Sequence, residues 1–359
     1  MAINDTRING SFFNQTAAGE RCKPFAATGT ITNQAIVIFA YSLLFLLSLV
    51  GNFLVIVIFR RENRRNKTPV NYLIANMAVS DILVPLFTIP RRIQEVYLGW
   101  GKWIISGTVG DFLCRIINFA EELSIGVSIE TMVLIAFERF WSVMFPMKPP
   151  IISSEKTPKI IAISWIFVSL SFSYYFAAYK LAYRDNQPYC QFELPQMFDS
   201  WQDLWRADRI FVFVVFISLP CILLVILYTA IIISLYRKKG DFLNNLRTKQ
   251  QRLRTAKNKR ITAMLVVIVA IFFISWTPHY LYFFVHYFSW PPQQRWSCIS
   301  KHRLYLAAKY MNYLYPALNP FIYYIFNNSY RRGFQDVLCC REQGRSRVSP
   351  LQRRKETKC

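Results

Sequence analysis

The sequence predicts an all-α membrane protein, a bundle of seven transmembrane helices followed by an amphipathic eighth helix at the inner leaflet. The first observation is composition: 53% of the 359 residues are hydrophobic, yet the formal net charge is +23. A soluble protein rarely combines these properties. They are compatible when the apolar part lies in lipid and the basic part is confined to segments on one side.

The second observation is that windows of about 20 mostly apolar residues, the length that crosses a bilayer, recur along the chain. The seven windows are approximately Gln34–Arg60, Pro69–Tyr97, Gly110–Met144, Pro158–Ala182, Arg209–Tyr236, Ile261–Phe288 and Leu304–Asn327. We therefore expect a tail at 1–33, a membrane domain at 34–327, a membrane-surface helix at 328–340 and a disordered tail at 341–359. Seven crossings place the two termini on opposite sides.

The third observation is the distribution of Lys and Arg between the spans. The segments after spans one and five and the C-terminal tail are strongly basic, whereas the N-terminal tail and the segments after spans two, four and six are not. Because basic segments remain cytoplasmic, the N-terminus is predicted to be extracellular and the C-terminus cytoplasmic. The predicted location of the protein is the plasma membrane. Because the charge borders membrane spans, it favours anionic lipid as the partner rather than nucleic acid.

Sequons and cysteines agree with this orientation. Glycosylation sequons begin at Asn4, Asn9 and Asn14, all in the predicted extracellular tail. Cys22, Cys114, Cys190 and Cys298 fall at outer positions, where oxidation is possible. Cys339 and Cys340 follow the last span on the reducing side and are candidates for palmitoylation.

The segment after span seven has an apolar stripe. Tyr330, Phe334 and Leu338 recur every four residues, while charged residues occupy the other faces. This spacing predicts an amphipathic helix along the inner leaflet.

Two adjacent glutamates, Glu121 and Glu122, lie inside the apolar run of span three. A carboxylate is costly in hydrocarbon, so intramembrane glutamates indicate a functional site. Steps of four and three residues from Glu121 lead to Arg139 at the inner end of the same helical face. One face therefore combines an outer carboxylate with an inner arginine.

Each span carries a distinctive motif. These are Gly51-Asn52 with Val55, "NMAVSD" ending at Asp81, Cys114 with Glu138-Arg139-Phe140, Trp165, Pro220 with Tyr228, "SWTP" with Trp276 and Pro278, and Asn319-Pro320-Phe-Ile-Tyr323. Their order resembles the rhodopsin-like family of G-protein-coupled receptors over roughly Gln34 to Cys340.

The resemblance implies a switch and an inner partner. Ile129, Pro220 and Phe272 would repack under Trp276, while Tyr228 and Tyr323 would swing towards Arg139. A heterotrimeric G protein would then dock near Arg139 and Met147. Arrestin and a receptor kinase are further possible partners, although the tail has few Ser and Thr residues.

The resemblance also implies a disulfide between Cys114 and Cys190, and leaves Cys22 and Cys298 as a second outer pair. Two departures from the family stand out. Basic residues replace the acidic latch of span six, so we expect basal activity unless Glu138 and Thr262 hold Arg139. Tyr315 and Pro316 replace small polar residues near Asp81 and Ser128, which weakens the case for a sodium ion there.

Two interpretations of Glu121 remain open at the sequence level. It lies about 10 Å below Cys114 at 1.5 Å per residue, where it could form an interhelical ion pair with Lys309, Arg91 or Arg92. Alternatively, Glu121 or Glu122 meets a basic group of the ligand, in exchange for Lys309. The other residues predicted to bind the ligand are Arg91, Arg92, Glu95, His279, Tyr280, Lys309 and Tyr313.

Several ligand and protein classes compete. The mixed charges and aromatic residues favour a peptide agonist, and "TPVNYLIANMAVSD" and "FPMKPP" are similar to neuropeptide receptors of the RFamide, tachykinin and orexin type. A biogenic amine paired with Glu121 is the alternative. An opsin would need a lysine where Tyr313 stands. We find no paired repeats of a transporter and no triad or metal cluster of an enzyme, and we expect no cofactor.

Overall fold

The computed structural model describes residues 31–62, 67–99, 101–184, 186–192, 207–240, 249–288 and 298–338. Its elements, in chain order, are α1 (Ile31–Arg61), α2 (Pro69–Leu98), α3 (Gly107–Met144), α4 (Thr157–Ser171), β1 (Tyr179–Arg184), β2 (Gln187–Phe192), α5 (Val212–Ser218, continuing as Leu219–Gly240), α6 (Lys249–Phe288), α7 (Cys298–Phe326) and α8 (Asn328–Leu338). A single helical turn, Tyr175–Ala178, lies between α4 and β1.

Each predicted span corresponds to one helix, and five of these are long and apolar enough to cross a membrane. The five are α1, α2, α4 with the turn that follows it, α5 and α6. The other two are α3, which carries charged residues along its length, and α7, which carries charged residues, tyrosines and asparagines. The two predicted spans that are not among these five helices are therefore those that contain Glu121 and Lys309.

Prolines interrupt the regular helices of the bundle. In α2 the segment Val84–Thr88, which contains Pro85, is π-helical, and in α5 the π-helical segment Val212–Ser218 ends two residues before Pro220. Pro278 lies inside α6, and Pro316 and Pro320 lie inside α7. A proline has no N–H to donate and leaves a carbonyl free, so the predicted kink sites of spans five and six are present in the fold.

Buried polar side chains join the helices. Asn319 Nδ2 donates to Asp81 Oδ2 at 2.7 Å, and Asn52 Nδ2 donates to the Pro316 carbonyl at 2.9 Å. Trp165 Nε1 donates to Asn76 Oδ1 at 2.8 Å. These bonds connect α1, α2, α4 and α7, so several family motifs have a structural role in the bundle.

Helices α3 and α4 approach closely at a glycine. A Cβ atom on Gly126 would lie 2.5 Å from Val168 Cγ1, a separation that real Cβ atoms do not adopt. Any side chain at this position would therefore push the two helices apart.

A two-stranded antiparallel hairpin covers the outer end of α3. Strands β1 and β2 pair Leu181 with Cys190, and Asn186 in the connecting turn has φ 60°. The structure contains the Cys114–Cys190 disulfide, which confirms this prediction. Asp111 Oδ1 of α3 accepts a hydrogen bond from the Leu181 N–H at 2.9 Å. The hairpin is thus attached to α3 by both a covalent and a polar link.

The segment after span seven forms the predicted helix, α8. Tyr330 and Phe334 are buried, with 1% and 7% of their surface exposed. The Tyr330 ring lies 5.9 Å from that of Tyr323, and the Phe334 ring lies 5.9 Å from that of Tyr324. Tyr330 and Phe334 of α8 therefore pack against α7, and the position of α8 at a leaflet remains a prediction. The boundaries of the predicted tails also remain predictions.

Candidate functional site

Glu121 is the centre of a buried group of charges between α2, α3 and α7. Its Oε1 accepts hydrogen bonds from Lys309 Nζ at 3.0 Å and from the Tyr313 hydroxyl at 3.1 Å. Its Oε2 accepts from Arg92 Nη2 at 3.3 Å. The interhelical ion pair considered from the sequence is therefore present. Contact between a ligand and Glu121 remains a prediction.

The same group extends towards the disulfide. Glu95 accepts from Arg92 Nη1 at 2.6 Å and from Arg91 Nε at 3.2 Å, all three side chains being buried. Arg91 also donates to Asn118 Oδ1, and Asn118 Nδ2 lies 3.4 Å from Cys190 Sγ. We call Arg91, Arg92, Glu95, Glu121 and Lys309 the positive cluster, because it contains three basic and two acidic side chains.

Glu122 belongs to a different group, between α3, the turn Tyr175–Ala178 and the residues directly before α5. Its Oε1 accepts from Arg209 Nη1 at 2.8 Å and from the Tyr175 hydroxyl at 3.1 Å. Asp208 Oδ2 accepts from Arg209 Nε at 2.7 Å, and Tyr174 donates to Asp208 Oδ1. We call Glu122, Asp208 and Arg209 the negative cluster, because it contains two carboxylates and one guanidinium.

Aromatic side chains form the floor between these clusters. The Trp276 ring lies 6.1 Å from His279, 6.1 Å from Tyr280 and 5.9 Å from Phe272. His279 is in electrostatic contact with Lys309 of one cluster and with Arg209 of the other. Its Nδ1 atom has no hydrogen-bond partner in the part of the chain that the structure describes.

A narrow cavity continues below Glu121 towards the middle of the bundle. Its lining includes Asp81, Ser128, Trp276, Tyr313 and Tyr315. Asp81 accepts from Ser128 Oγ at 3.1 Å and from Asn319, and so has two protein donors. Among the described residues no cluster of three His, Cys, Asp or Glu side chains could hold a metal ion. Sodium at Asp81 is untested.

At the inner end of α3, Arg139 is paired with its neighbour Glu138, and both side chains are buried. Thr262 Oγ1 and the Tyr228 hydroxyl are buried and make no hydrogen bond within the described ranges. The Tyr323 hydroxyl donates to Met77 Sδ at 3.1 Å. Glu138, and not Thr262, therefore holds Arg139 here, and neither tyrosine supports it in this conformation.

The connector expected under Trp276 is partly assembled. Ile129 and Phe272 are buried in the same hydrophobic cluster as Trp276, and Pro220 is half-buried in α5. Met147 is 95% exposed at the inner end of the bundle, as a docking residue would be. Their roles in switching and docking remain predictions.

Some predicted sites fall where the structure gives no description. Asn4, Asn9, Asn14, Cys22, Cys339 and Cys340 lie outside the described residues, and the side chain of Cys298 is not described either. Glycosylation, palmitoylation and the second disulfide therefore stay predictions.

Sequence reasoning missed the residues that pair with Glu122. In the sequence Arg209 marks the start of span five, and nothing in the hydropathy pattern links Asp208 or Tyr175 to Glu122. The available signal was the acidic and basic pair Asp208-Arg209 directly before a long apolar run. Such a pair at the mouth of a bundle should be examined as a partner for any buried charge.

The fold and the site define a class of protein, a helical membrane protein with buried charges beneath the hairpin and a buried arginine at the opposite end of α3. Residues 51–323 match the family described as "7 transmembrane receptor (rhodopsin family)". The chain belongs to this family and is a multi-pass membrane protein. Members of the family are signalling receptors and not enzymes.

Individual relatives share about a quarter of their aligned residues with this chain. Neuropeptide receptor 15 of Caenorhabditis elegans is 25% identical, over 84% of this chain and 89% of its own length. Neuropeptide FF receptor 2 of Mus musculus is 28% identical, over 84% of this chain and 72% of its own. The Pyroglutamylated RF-amide peptide receptor of Rattus norvegicus is 26% identical, over 92% of this chain and 79% of its own.

Proposed function

We propose that this chain is a plasma-membrane receptor for a neuropeptide and that agonist binding promotes nucleotide exchange on a heterotrimeric G protein. The relatives named above support the peptide class, since their names describe neuropeptide or peptide receptors. Coupling to a G protein is general in the rhodopsin family, which the chain matches from residue 51 to residue 323.

The observation that carries the peptide assignment is the presence of two separate charged clusters beneath one hairpin. A small amine needs a single counter-ion, and its expected partner, Glu121, already accepts three hydrogen bonds. An amine on Glu121 would share this carboxylate with Lys309, Arg92 and Tyr313, and it would use only one of the two clusters. A peptide can engage both clusters and the aromatic floor together, because its groups extend over several subsites.

The inner end supplies the coupling surface in this proposal. Arg139 is released from Glu138 when α6 moves outward, and the exposed Met147 contacts the G protein. The N-terminus faces the exterior and the basic segments contact anionic lipid. Phosphorylation of the C-terminal tail by a receptor kinase, followed by arrestin binding, would end the signal.

A reporter screen tests the function directly. Cells expressing the chain are exposed to amidated and non-amidated neuropeptides, and calcium and cAMP are recorded. We expect at least one peptide to give a saturable response that is absent from untransfected cells. The Arg139→Ala variant, matched for surface expression, should lose the response because it lacks the inner arginine. A response that persists in this variant would count against the proposed coupling.

Orientation has a separate test. An epitope placed before Met1 should be accessible to antibody on intact cells, and one placed after Cys359 should require permeabilisation. Detection of both epitopes on intact cells would refute the proposed topology.

A further inference from the structure

Two buried ionic groups, one in each cluster, have unused hydrogen-bonding capacity. Glu122 is 9% exposed, its Oε1 accepts two hydrogen bonds, and its Oε2 accepts none from the described residues. Lys309 has three N–H donors but makes one hydrogen bond within the described residues, to Glu121. An ionic group that is nearly buried and incompletely satisfied is costly, so both positions favour an additional partner.

The surplus charges of the two clusters have opposite signs. In the described part of the chain, the positive cluster has one more cation than carboxylates, and the negative cluster has one more carboxylate than cations. The free N–H donors of Lys309 belong to the positive cluster, and the free acceptor oxygen of Glu122 belongs to the negative cluster. Each cluster therefore offers a hydrogen-bonding group of the same sign as its surplus charge.

The side chains of Glu122 and Lys309 lie close together. Glu121 and Glu122 are consecutive in α3, so their side chains leave a helix 10–12 Å across about 100° apart, which places their carboxylates within about 10 Å. Lys309 bonds to Glu121 and lies within electrostatic range of Glu122. Two or three extended residues, at about 3.5 Å each, span this separation.

We propose that the pocket recognises a short bipolar segment of the peptide, with a guanidinium or ammonium group on Glu122 and an electron-rich end, an amide carbonyl or a carboxylate, on Lys309. The assignment rests on the proposed function and specifies its ligand chemistry. It leaves the Glu121–Lys309 pair in place, and so differs from an exchange in which the ligand cation replaces Lys309 on Glu121. A guanidinium suits the site because it can bond to a carboxylate through two parallel N–H groups.

The test uses three synthetic peptides of equal length. One ends in Arg-Phe-amide, the second has citrulline in place of the arginine, and the third is the free acid of the first. Citrulline keeps the shape of arginine and removes its charge. Binding is measured as thermal stabilisation of the purified full chain in lipid nanodiscs, and activation as nucleotide exchange on added G protein.

Wild-type protein should prefer the arginine peptide to the citrulline peptide by about 10-fold or more, as a charge-assisted hydrogen bond of about 1.5–3 kcal/mol requires. The Glu122→Gln variant should reduce this ratio to about 2-fold or less, and Glu122→Asp should restore much of it. Lys309→Gln should weaken binding of the amide and the acid but retain the preference for arginine.

The matched control is Glu130→Gln. Glu130 is another carboxylate of α3, bonded to Ser164 on a different face, and its removal should leave the ratio unchanged. A wild-type ratio in Glu122→Gln would overturn the proposal, as would a ratio that depends on Glu121 and Lys309 but not on Glu122. Failure of all three peptides to bind at high micromolar concentration would also overturn it. Activation by a different, uncharged peptide would then leave the proposed receptor function intact.

Discussion

Lys309 Nζ of α7 lies 3.0 Å from Glu121 Oε1 of α3, and 188 residues of chain separate the two. Both side chains are about nine-tenths buried. The contact joins the two predicted spans that are not among the five helices long and apolar enough to cross a membrane. Glu121 and Lys309, two of the charged residues of these helices, thus link them to each other.

Substitution of the two partners of this ion pair should destabilise the protein to different extents. Glu121→Gln leaves Arg91, Arg92 and Lys309 with one carboxylate, Glu95, whereas Lys309→Met leaves Glu121 with Arg92 and Tyr313. We expect a loss of about 3 kcal/mol for the first variant and about 1 kcal/mol for the second, because an uncompensated buried charge is the larger cost. Thermal unfolding of the purified variants in one detergent measures both. Equal losses would contradict this explanation.

A contact at the inner end of α6 should restrain basal activity. Arg260 Nη1 donates to Asn328 Oδ1 at 2.6 Å, and its Nη2 donates to the Ile325 carbonyl at 2.9 Å. Arg260 thereby ties α6 to the junction of α7 and α8, although the acidic latch of the family is missing. Arg260→Ala should raise agonist-free nucleotide exchange about 2- to 5-fold, the effect of losing about 0.5–1 kcal/mol.

The control for the Arg260 variant is Arg331→Ala. Arg331 Nη2 donates to the same Asn328 Oδ1 at 2.9 Å, but it lies in α8 and does not reach α6. Its removal should leave basal exchange near the wild-type rate. If both variants raise basal exchange equally, the effect comes from α8 and not from α6.

The sequence predicts the positions of the helices better than it predicts the contacts between the buried charges. The spans follow from hydropathy, and the predicted partner of Glu121, Lys309, follows from equal depth in two helices. The Glu122–Arg209 pair could not be predicted in this way, because helical periodicity states where a side chain points but not which helix faces it. The π-helical segment at Val84–Thr88 also escaped prediction, although Pro85 marks its position.

The close packing of α3 on α4 should make Gly126 intolerant of larger residues. Gly126→Val would bring new methyl groups against Val168, and we expect a loss of about 1–3 kcal/mol from overpacking. The double variant Gly126→Val with Val168→Ala should recover part of that loss, because the smaller alanine makes room for the new valine side chain. Thermal unfolding measures the three proteins. A double variant that is less stable than the single one would exclude this steric explanation.

Asn118 should transmit the position of the hairpin to the positive cluster. Its amide oxygen accepts from Arg91, and its amide nitrogen donates to the Cys114 carbonyl at 2.6 Å, directly beneath the disulfide. Asn118→Ala removes an acceptor from a buried guanidinium, so agonist potency in the reporter assay should fall about 5-fold, as loss of about 1 kcal/mol requires. Asn118→Asp keeps an acceptor for Arg91, and its carboxylate offsets the surplus positive charge, so potency should remain within about 2-fold of wild type. An aspartate variant as weak as the alanine variant would show that Asn118 acts through the Cys114 carbonyl rather than through Arg91.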